Sequence, residues 1–439
     1  MPKQHKKSPA AAAFELVDKA DWFKRLARKR NSDGSDGPIL SVLDNLVAIL
    51  ANDERWAGVI AYDDFSGTIM KRKLPPTQMA AEGEWLDEDD HRTEFWFAQT
   101  YGIRRISAGD LQKAVFLVAD LNRYHQVRDW LETLVWDQCR RADYWLSAYL
   151  GARQTIAKPS GEPGYVEKTA AKFLLQAVAR VYKPGCKAEN VLIIESPRQG
   201  TLKSSALEVL FQPWFTDAAF DLKNPAEAGQ IMRGQWCCEL AELDGFYRAE
   251  STTAKSFFSR SRDIYRPPYG RKPVKLPRQQ VFCGTVNHSE YFTDSTGNRR
   301  YWPVRVAVEI DIDLDGLGAV REQLLAEAVV RFKAGEVWYV RASERALFDE
   351  AQEQRYVGDA FESRIRHWLN EPDAGGVKPD QVSIAVLLGQ ALGLDTAKWT
   401  RAEQMRVGRI MQRIGWERQR ESGGERQWRY VRPAAGAET

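Results

Sequence analysis

The sequence predicts an α/β fold built around a parallel β-sheet. The first observation is the apolar run Val191–Ile194, which is typical of a strand buried on both faces. The second is a turn-rich segment that ends in Lys203-Ser204, where a helical pattern begins. The third is the largely apolar segment 234–240, which runs into carboxylates. A strand, a tight loop, a helix and a later strand with carboxylates follow one another in phosphate-binding α/β proteins.

The loop between the first predicted strand and the helix resembles a phosphate-binding loop. In such loops the backbone N–H groups hold phosphates, the lysine reaches the β/γ oxygens and the hydroxyl meets Mg²⁺. Pro197 and Leu202 stand where the motif has glycines, so an ordinary strand–turn–helix is an equally good interpretation of this segment alone. The residues predicted to bind the nucleotide are Gln199, Gly200, Thr201, Leu202, Lys203, Ser204 and Ser205.

Composition restricts the class of protein. A chain of 439 residues can form several domains, and a net charge of +3 is that of an ordinary globular protein. No apolar run approaches the length of a membrane span, and the N-terminus lacks a secretory signal, so no membrane partner is expected. The five cysteines lack C-x-x-C spacing, which predicts reduced thiols in a cytoplasm rather than a disulfide framework or a zinc site.

Changes in pattern along the chain predict several domains. A strand pair is predicted around Phe65-Ser66-Gly67, and the acidic segment 82–90 is interpreted as a solvated loop. The predicted divisions are a flexible leader (1–37), a small α/β N-terminal region (38–106), a helical adaptor (107–186), the P-loop core (187–335), a linker helix (336–358), a winged-helix domain (359–433) and a tail (434–439).

Two carboxylates downstream of the loop predict the part of the site that activates water. We expect Glu239, together with Ser204, to hold Mg²⁺, and Glu242 to polarise the attacking water. The two glutamate roles can be exchanged, because the usual aspartate is absent and the register is ambiguous. Surface carboxylates at a strand end are the alternative interpretation.

Polar residues after the next buried strand extend this prediction. Asn287 follows the strand 280–285, where a polar residue touches the γ-phosphate and the water in ATPases with an inserted middle strand. Arg299 and Arg300 follow on a turn, from which an arginine finger would reach a neighbouring subunit. A turn with solvated arginines is the alternative.

A basic stretch, residues 260–278, lies between the carboxylate strand and the Asn287 strand. It predicts a hairpin that contacts single-stranded DNA through stacking and phosphate contacts, with a solvated loop as the alternative. The C-terminal arginines are consistent with a module that binds DNA or packs on a partner. The residues of the hairpin predicted to bind DNA are Arg266, Tyr269, Arg271, Lys272 and Lys275.

Taken in order, these pieces carry a resemblance to a family. They are Trp136-Asp137, Pro184-Gly185-Cys186, Gln199-Gly200, Lys203-Ser204, Trp214-Phe215-Thr216-Asp217, Glu239 with Glu242, the segment 263–271, Gly284-Thr285-Val286-Asn287 and the segment 297–303. The chain resembles the virulence-associated protein E family of phages and mobile elements, over roughly residues 129–306. The family looks like a superfamily-three type AAA+ helicase ATPase, often fused to or encoded beside a primase. Pro197 and Leu202 depart from the glycines of its loop.

The resemblance implies ATP and Mg²⁺ as cofactors and single-stranded DNA as a partner. It also implies a homo-oligomeric ring, with a hexamer favoured, a separate primase or replication initiator, and the cytoplasm of a bacterial host cell. The resulting hypothesis is an ATP-driven translocase in phage or mobile-element replication. Two rivals are a non-translocating DNA-binding or regulatory protein with a degenerate nucleotide site, and a nucleotide-switched defence or virulence component.

Overall fold

The computed structural model describes residues 21–77, 79, 81–156, 160–198, 200–240, 251–266, 273–287, 298–307, 311–355, 359–372, 376–420 and 428–432. The strands are β1 (Arg28–Arg30), β2 (Asp36–Ile39), β3 (Ile60–Asp63), β4 (Thr68–Lys71), β5 (Gly83–Glu84), β6 (Arg123–Tyr124), β7 (Val191–Glu195), β8 (Phe215–Thr216), β9 (Cys237–Leu240), β10 (Arg262–Tyr265), β11 (Val274–Pro277), β12 (Val281–Val286), β13 (Tyr301–Arg305), β14 (Gln381–Ser383), β15 (Glu417–Arg420) and β16 (Trp428–Val431).

The α-helices alternate with these strands through the central part of the chain. They are α1 (Leu43–Asn52), α2 (Asp87–Tyr101), α3 (Ala108–Leu121), α4 (Gln126–Thr133), α5 (Trp145–Leu150), α6 (Tyr165–Tyr182), α7 (Lys203–Phe211), α8 (Pro225–Ile231), α9 (Ser251–Phe258), α10 (Leu314–Lys333), α11 (Arg345–Glu353), α12 (Ala360–Asn370), α13 (Ile384–Val386, continued by a π-helical turn over Leu387–Ala391) and α14 (Arg401–Arg413). None of the described helices is long and apolar enough to cross a lipid bilayer.

The N-terminal module is a four-stranded sheet in the order β5-β4-β3-β6, with α1 and α3 packed in its core. The predicted strand pair is confirmed, since β3 and β4 are antiparallel neighbours. The solvated-loop prediction for residues 82–90 is wrong. This segment forms β5 and the first turn of α2, because Asp89 is buried against Lys71 and accepts a bond from the Leu86 N–H at 2.8 Å.

The segment before this sheet is also ordered where it is described. Residues 21–37 were predicted as part of a flexible leader, but they form a helical turn and the β1–β2 hairpin. The buried Asn45 side chain ties the segment to α1, accepting a bond from the Ala27 N–H at 2.8 Å and donating to the Leu40 carbonyl at 2.8 Å. Residues 1–20 lie outside the described residues.

A five-stranded parallel sheet forms the centre of the molecule and confirms the predicted α/β class. Its order is β13-β7-β12-β9-β8, and every pairing is parallel. The strand β12 therefore lies between β7, which precedes the loop, and β9, which carries Glu239. A parallel sheet of this kind fits a nucleotide-binding fold, because the carboxyl ends of the strands share one edge.

Helices cover both faces of this sheet, which explains why β7 is apolar throughout. Leu192 and Ile194 pack in a core with α4–α7, α10 and α11, whereas Val191 and Ile193 pack with α8 and α9. The segment 107–186, predicted as one helical adaptor, divides between two cores: α3 packs in the N-terminal module, and α4–α6 pack on the central sheet.

The C-terminal module follows α11. It runs in the order helix, strand, helix, helix and hairpin, and its three strands pair as β14-β16-β15. Its core is separate from that of the central sheet and consists of side chains from α12–α14, β14 and β16, with Trp416 just before β15. The predicted linker segment 336–358 contains a helical turn, Ala342–Glu344, and α11, which packs against the central sheet.

Candidate nucleotide-binding site

The loop after β7 has the backbone of a tight turn into α7. Its first N–H, of Ser196, donates to the carbonyl of Val286 on β12 at 3.1 Å, so the loop begins level with the end of the neighbouring strand. Gly200 has φ +71° and Leu202 has φ 58°. Leu202 therefore occupies, at a cost of about 1–2 kcal/mol, the left-handed conformation that glycine adopts freely. Gln199 lies outside the described residues.

Lys203 begins α7, and its ammonium group is held inside the loop. Nζ donates to Oδ1 of Asn287 at 3.0 Å, to Oγ1 of Thr201 at 3.2 Å and to the carbonyl of Arg198 at 3.4 Å. The residue is only 7% exposed. Burial lowers the pKa of Lys203, and the carboxylate of Glu239 opposes that shift. The predicted nucleotide lysine and the predicted Asn287 are thus brought into direct contact.

Glu239 lies beside this lysine, on β9, which is one of the three strands whose ends form the site. Its Oε1 accepts bonds from Ser204 Oγ at 2.8 Å and from Thr285 Oγ1 at 2.9 Å. Its Oε2 is buried and has no hydrogen-bond partner in the described part of the chain. Burial raises the pKa of Glu239 and outweighs the lowering effect of the two hydroxyl donors.

The two predicted magnesium ligands therefore meet and fit a cation. A buried carboxylate oxygen without a donor is costly, and a bound cation would offset that cost. The Ser204 hydroxyl, directly beside the other carboxylate oxygen, supplies a second oxygen of the kind that Mg²⁺ prefers. Glu242, predicted to polarise water, lies outside the described residues.

Three residues near the loop were missed by the sequence analysis. Thr285 donates a hydrogen bond to Glu239. Its position two residues before Asn287 could have indicated this role, because in an extended chain residues two apart share a face. Glu195 and Arg355 form a buried ion pair behind the loop, with Arg355 Nη2 at 2.9 Å from Glu195 Oε2. No local pattern in the sequence marks the Glu195–Arg355 pair, because the two residues are 160 positions apart.

The two predicted finger arginines lie at the opposite, amino-terminal edge of the sheet. They form a helical turn just before β13, whose Tyr301 pairs with Val191 at the start of β7. Arg300 is buried, donates from Nη2 to Ser259 Oγ at 2.9 Å and lies 3.3 Å from Glu189 Oε2. Arg299 is exposed, and its side chain has no hydrogen bond or ion pair within the described residues.

The basic stretch forms the predicted hairpin at its base. Strands β10 and β11 are antiparallel, with Tyr265 opposite Val274. Lys275 and Arg266 are exposed, whereas Arg278 is buried and pairs with Asp263, its Nε at 2.9 Å from Oδ2. Arg278 is therefore a structural arginine. The predicted tip residues Tyr269, Arg271 and Lys272 lie outside the described residues.

Comparison with known proteins places this site in a family. The sequence model described as the virulence-associated protein E-like domain matches residues 131–357, a little more than half of the chain. The chain belongs to this family. The virulence-associated protein E-like domain thus spans the whole parallel sheet, the loop and the basic hairpin, and leaves the N-terminal and C-terminal modules outside.

Solved structures and curated sequences were compared as well. The apo structure of the NrS-1 C-terminal region is 11% identical, with a TM-score of 0.40, and the match covers 85% of this chain and 95% of that chain. The A form apo structure of the same region is 10% identical, with a TM-score of 0.39, and the match covers 85% of this chain and 96% of that chain. No curated protein sequence matches the chain.

Proposed function

We propose that this protein is a DNA-dependent ATPase that moves along single-stranded DNA during replication of a phage or mobile element. The observation that carries the proposal is the meeting of three strand ends. Lys203 follows β7, Asn287 follows β12, and Glu239 is the last residue but one of β9. Lys203 bonds Asn287 at 3.0 Å, and the next residue, Ser204, bonds Glu239 at 2.8 Å. This is the set of groups that nucleoside triphosphate hydrolysis requires.

The contacts of Lys203 indicate how ATP would be held. Its partners are a neutral amide, a hydroxyl and a carbonyl, all weaker acceptors than phosphate oxygens, so the ammonium can exchange them for the β- and γ-phosphates. Asn287 is then freed to contact the γ-phosphate and the attacking water. Mg²⁺, when bound by Ser204 and Glu239, would neutralise charge on the β- and γ-phosphates. Glu242 is proposed to polarise the water.

The order of the strands supports the assignment to the AAA+ class of P-loop ATPases. The prediction for Asn287 assumed a strand inserted between β7, which precedes the loop, and β9, which carries Glu239. In the sheet β12 occupies that position. In such enzymes hydrolysis is completed by an arginine from the adjacent subunit. We assign that role to Arg299 rather than Arg300, because Arg300 is bonded to Glu189 and Ser259 of its own chain. A ring, with six subunits favoured, is part of this proposal.

The basic hairpin is proposed as the contact with single-stranded DNA. It projects from the ATPase sheet on β10 and β11, with Arg266 and Lys275 exposed. Phosphate contacts from such cations, with stacking from Tyr269, do not depend on base sequence, as a translocating protein requires. A separate primase or replication initiator would supply the start site.

A rival function is a DNA-binding regulatory protein with a degenerate nucleotide site. The observation that favours it is Leu202, a bulky residue in a left-handed conformation at the position where the motif has glycine. A loop under such strain can retain nucleotide binding while losing turnover. The two proposals differ in whether DNA stimulates hydrolysis.

The decisive experiment measures ATP turnover with and without single-stranded DNA. We expect DNA to accelerate turnover, and Lys203→Ala to abolish it, since the Lys203 ammonium is the cation that lies inside the loop beside Asn287. Lys333→Ala, which removes an exposed lysine at the end of α10, is the matched control and should turn over normally. Native turnover in Lys203→Ala would remove the phosphate loop from the proposal, and DNA-independent turnover would favour the rival.

The DNA contact is tested by salt titration of single-strand binding. The triple variant Arg271→Ala/Lys272→Ala/Lys275→Ala should weaken binding and lower the slope of log affinity against log salt by about one per lost phosphate contact. A triple variant of the β1–β2 region, Arg25→Ala/Lys29→Ala/Arg30→Ala, removes the same charge and should bind as the native protein does. An unchanged slope in the first variant would make the hairpin a solvated loop.

A further inference from the structure

The C-terminal module lies outside the family domain and carries a second concentration of positive charge. Residues 401–432 contain nine arginines and four glutamates, a net charge of +5, whereas the whole chain has only +3. Such an asymmetry is the electrostatic signature of a polyanion contact, provided that the cations are available at the surface. The structure decides which of them are available.

Three of these arginines hold the module together. Arg406 makes two bonds to Asp359, at 2.7 and 2.8 Å, and stacks on Phe361. Arg413 pairs with Glu353 of α11, and Arg432 donates to the carbonyl of Leu369 at 2.6 Å. Removing any of these would disturb the fold, so they are not assigned to a ligand.

Arg401 and Arg409 are exposed on the outer face of α14. Within the described residues neither guanidinium has a hydrogen bond or an ion pair. They share this face with Met405, which is 52% exposed, and with Gln412, because residues four and eleven apart point in nearly the same direction on a helix. The opposite face, with Val407, Ile410 and Met411, is buried in the module core.

The hairpin that follows α14 presents two further arginines on one aromatic ring. The guanidinium carbons of Arg418 and Arg420 lie 4.1 and 5.8 Å from the ring centroid of Trp428. Trp428 is 45% exposed, so this group faces solvent. Stacking fixes the guanidinium planes and leaves their edges free for bidentate bonds to phosphate.

We infer that the C-terminal module binds duplex DNA, with the outer face of α14 in the major groove and the β15–β16 hairpin on the adjacent phosphates. A helix is the element that the major groove admits, and arginine and glutamine are the side chains that pair with guanine and adenine edges there. A single strand is a poorer fit, because α14 contains no aromatic residue on which bases can stack and Arg418 lies over the exposed Trp428 ring. The module would thus hold a duplex beside the ATPase sheet.

The test is fluorescence anisotropy with the full-length protein, without nucleotide, on a duplex of about 25 base pairs, longer than two helical turns. Arg401→Ala/Arg409→Ala should lower duplex affinity about a hundredfold, roughly tenfold for each lost contact. Arg418→Ala/Arg420→Ala should lower it less and reduce the salt slope by about one per lost phosphate contact. Binding of the single strand should be unchanged in both variants.

A matched control and a second variant keep the outcome decisive. Arg364→Ala/Arg366→Ala removes two arginines from α12 of the same module and should leave duplex binding as in the native protein. Met405→Glu places a negative charge in the centre of the outer face without touching the core. This variant should lose duplex binding, but its unfolding in urea should match that of the native protein. Native duplex affinity in the α14 variants, or an equal loss in the α12 control, would overturn the inference. Because no nucleotide is present, neither result affects the ATPase proposal.

Discussion

The two edges of the parallel sheet differ in how their buried charges are paired. At the amino-terminal edge two buried arginines face carboxylates: Arg300 lies 3.3 Å from Glu189, and Arg278 bonds Asp263 at 2.9 Å. At the carboxyl-terminal edge Glu195 pairs with Arg355, but within the described residues Lys203 is held by neutral acceptors and one oxygen of Glu239 has no donor.

This difference separates charges that stabilise the fold from charges that are available to a ligand. A buried ion pair whose members already face each other has little to gain from another partner. The shifts of the two pKa values at the carboxyl-terminal edge, down for Lys203 and up for Glu239, show that burial there is incompletely compensated. A bound nucleotide and its metal would supply the missing compensation.

The largest expected effect concerns Arg299, the proposed arginine finger. Arg299→Ala should reduce turnover by about 10³-fold or more, because a finger stabilises charge in the transition state. Mixing Arg299→Ala protein with Lys203→Ala protein should restore some turnover, since a mixed ring contains interfaces with both groups intact. Arg300→Ala is assayed beside it. Full turnover in both single arginine variants would exclude an arginine finger. If one variant is inactive and mixing never restores turnover, that arginine acts within its own subunit.

The second effect concerns Glu239 and Glu242, the carboxylates proposed to hold Mg²⁺ and to polarise water. Glu242→Gln should bind ATP yet lower hydrolysis by about 10²–10⁴-fold, the usual contribution of a general base. Glu239→Gln should weaken the Mg²⁺ dependence of nucleotide binding, which is measured by titrating a fluorescent ATP analogue. The assignment is reversed if Glu239→Gln traps bound ATP while Glu242→Gln turns over normally.

The third prediction tests the structural role of the amino-terminal edge. Arg300→Ala should lower the free energy of unfolding by about 1–3 kcal/mol at neutral pH, the range for hydrogen bonds to charged groups. Burial raises the pKa of Glu189, but the Ser259 hydroxyl and Arg300 outweigh it, and the net shift is downward. The stabilisation is therefore present above the ordinary glutamate pKa and is lost as pH falls through the lowered one.

The measurement is urea unfolding of both proteins from neutral pH down to about pH 3, below the ordinary glutamate pKa. The difference between the two unfolding free energies should shrink toward the acidic end. Arg305→Ala, which removes an exposed cation from the far end of β13, serves as the control. A difference that persists unchanged at low pH would mean that Arg300 stabilises the edge by packing and not through Glu189.

The smallest effect concerns the strained loop. Leu202→Gly should raise the free energy of unfolding by about 0–1 kcal/mol, because relief of the left-handed strain exceeds the entropy that glycine loses on folding. Leu202→Val should lower it by a similar amount, since β-branched residues tolerate this conformation least. Urea unfolding of the three proteins checks whether stability falls in the order Leu202→Gly, native protein, Leu202→Val. A stability loss in Leu202→Gly would show that the partly exposed leucine side chain contributes more by packing than it costs.

The sequence predicted most of the elements that position the site. The buried strand β7, the turn into α7, the strands β9 and β12 and the β10–β11 hairpin were all expected, because apolar periodicity, glycine and proline act over a few residues. The same local signals located Lys203, Ser204, Glu239 and Asn287. They misjudged residues 82–90, because the acidic composition gave no sign that Asp89 would be buried against Lys71, eighteen positions away.

By itself, then, the sequence determined the class of fold, the order of its elements and the residue types available for phosphate chemistry. Only the tertiary structure decided which charged groups meet. It brought Thr285 into hydrogen-bond contact with Glu239 and paired Arg355 with Glu195. It also paired Arg300 with Glu189 of the same chain and exposed Arg401 and Arg409 to solvent. The physical reason is that the cost of a buried charge depends on partners brought together from distant segments, and local periodicity carries no information about those partners.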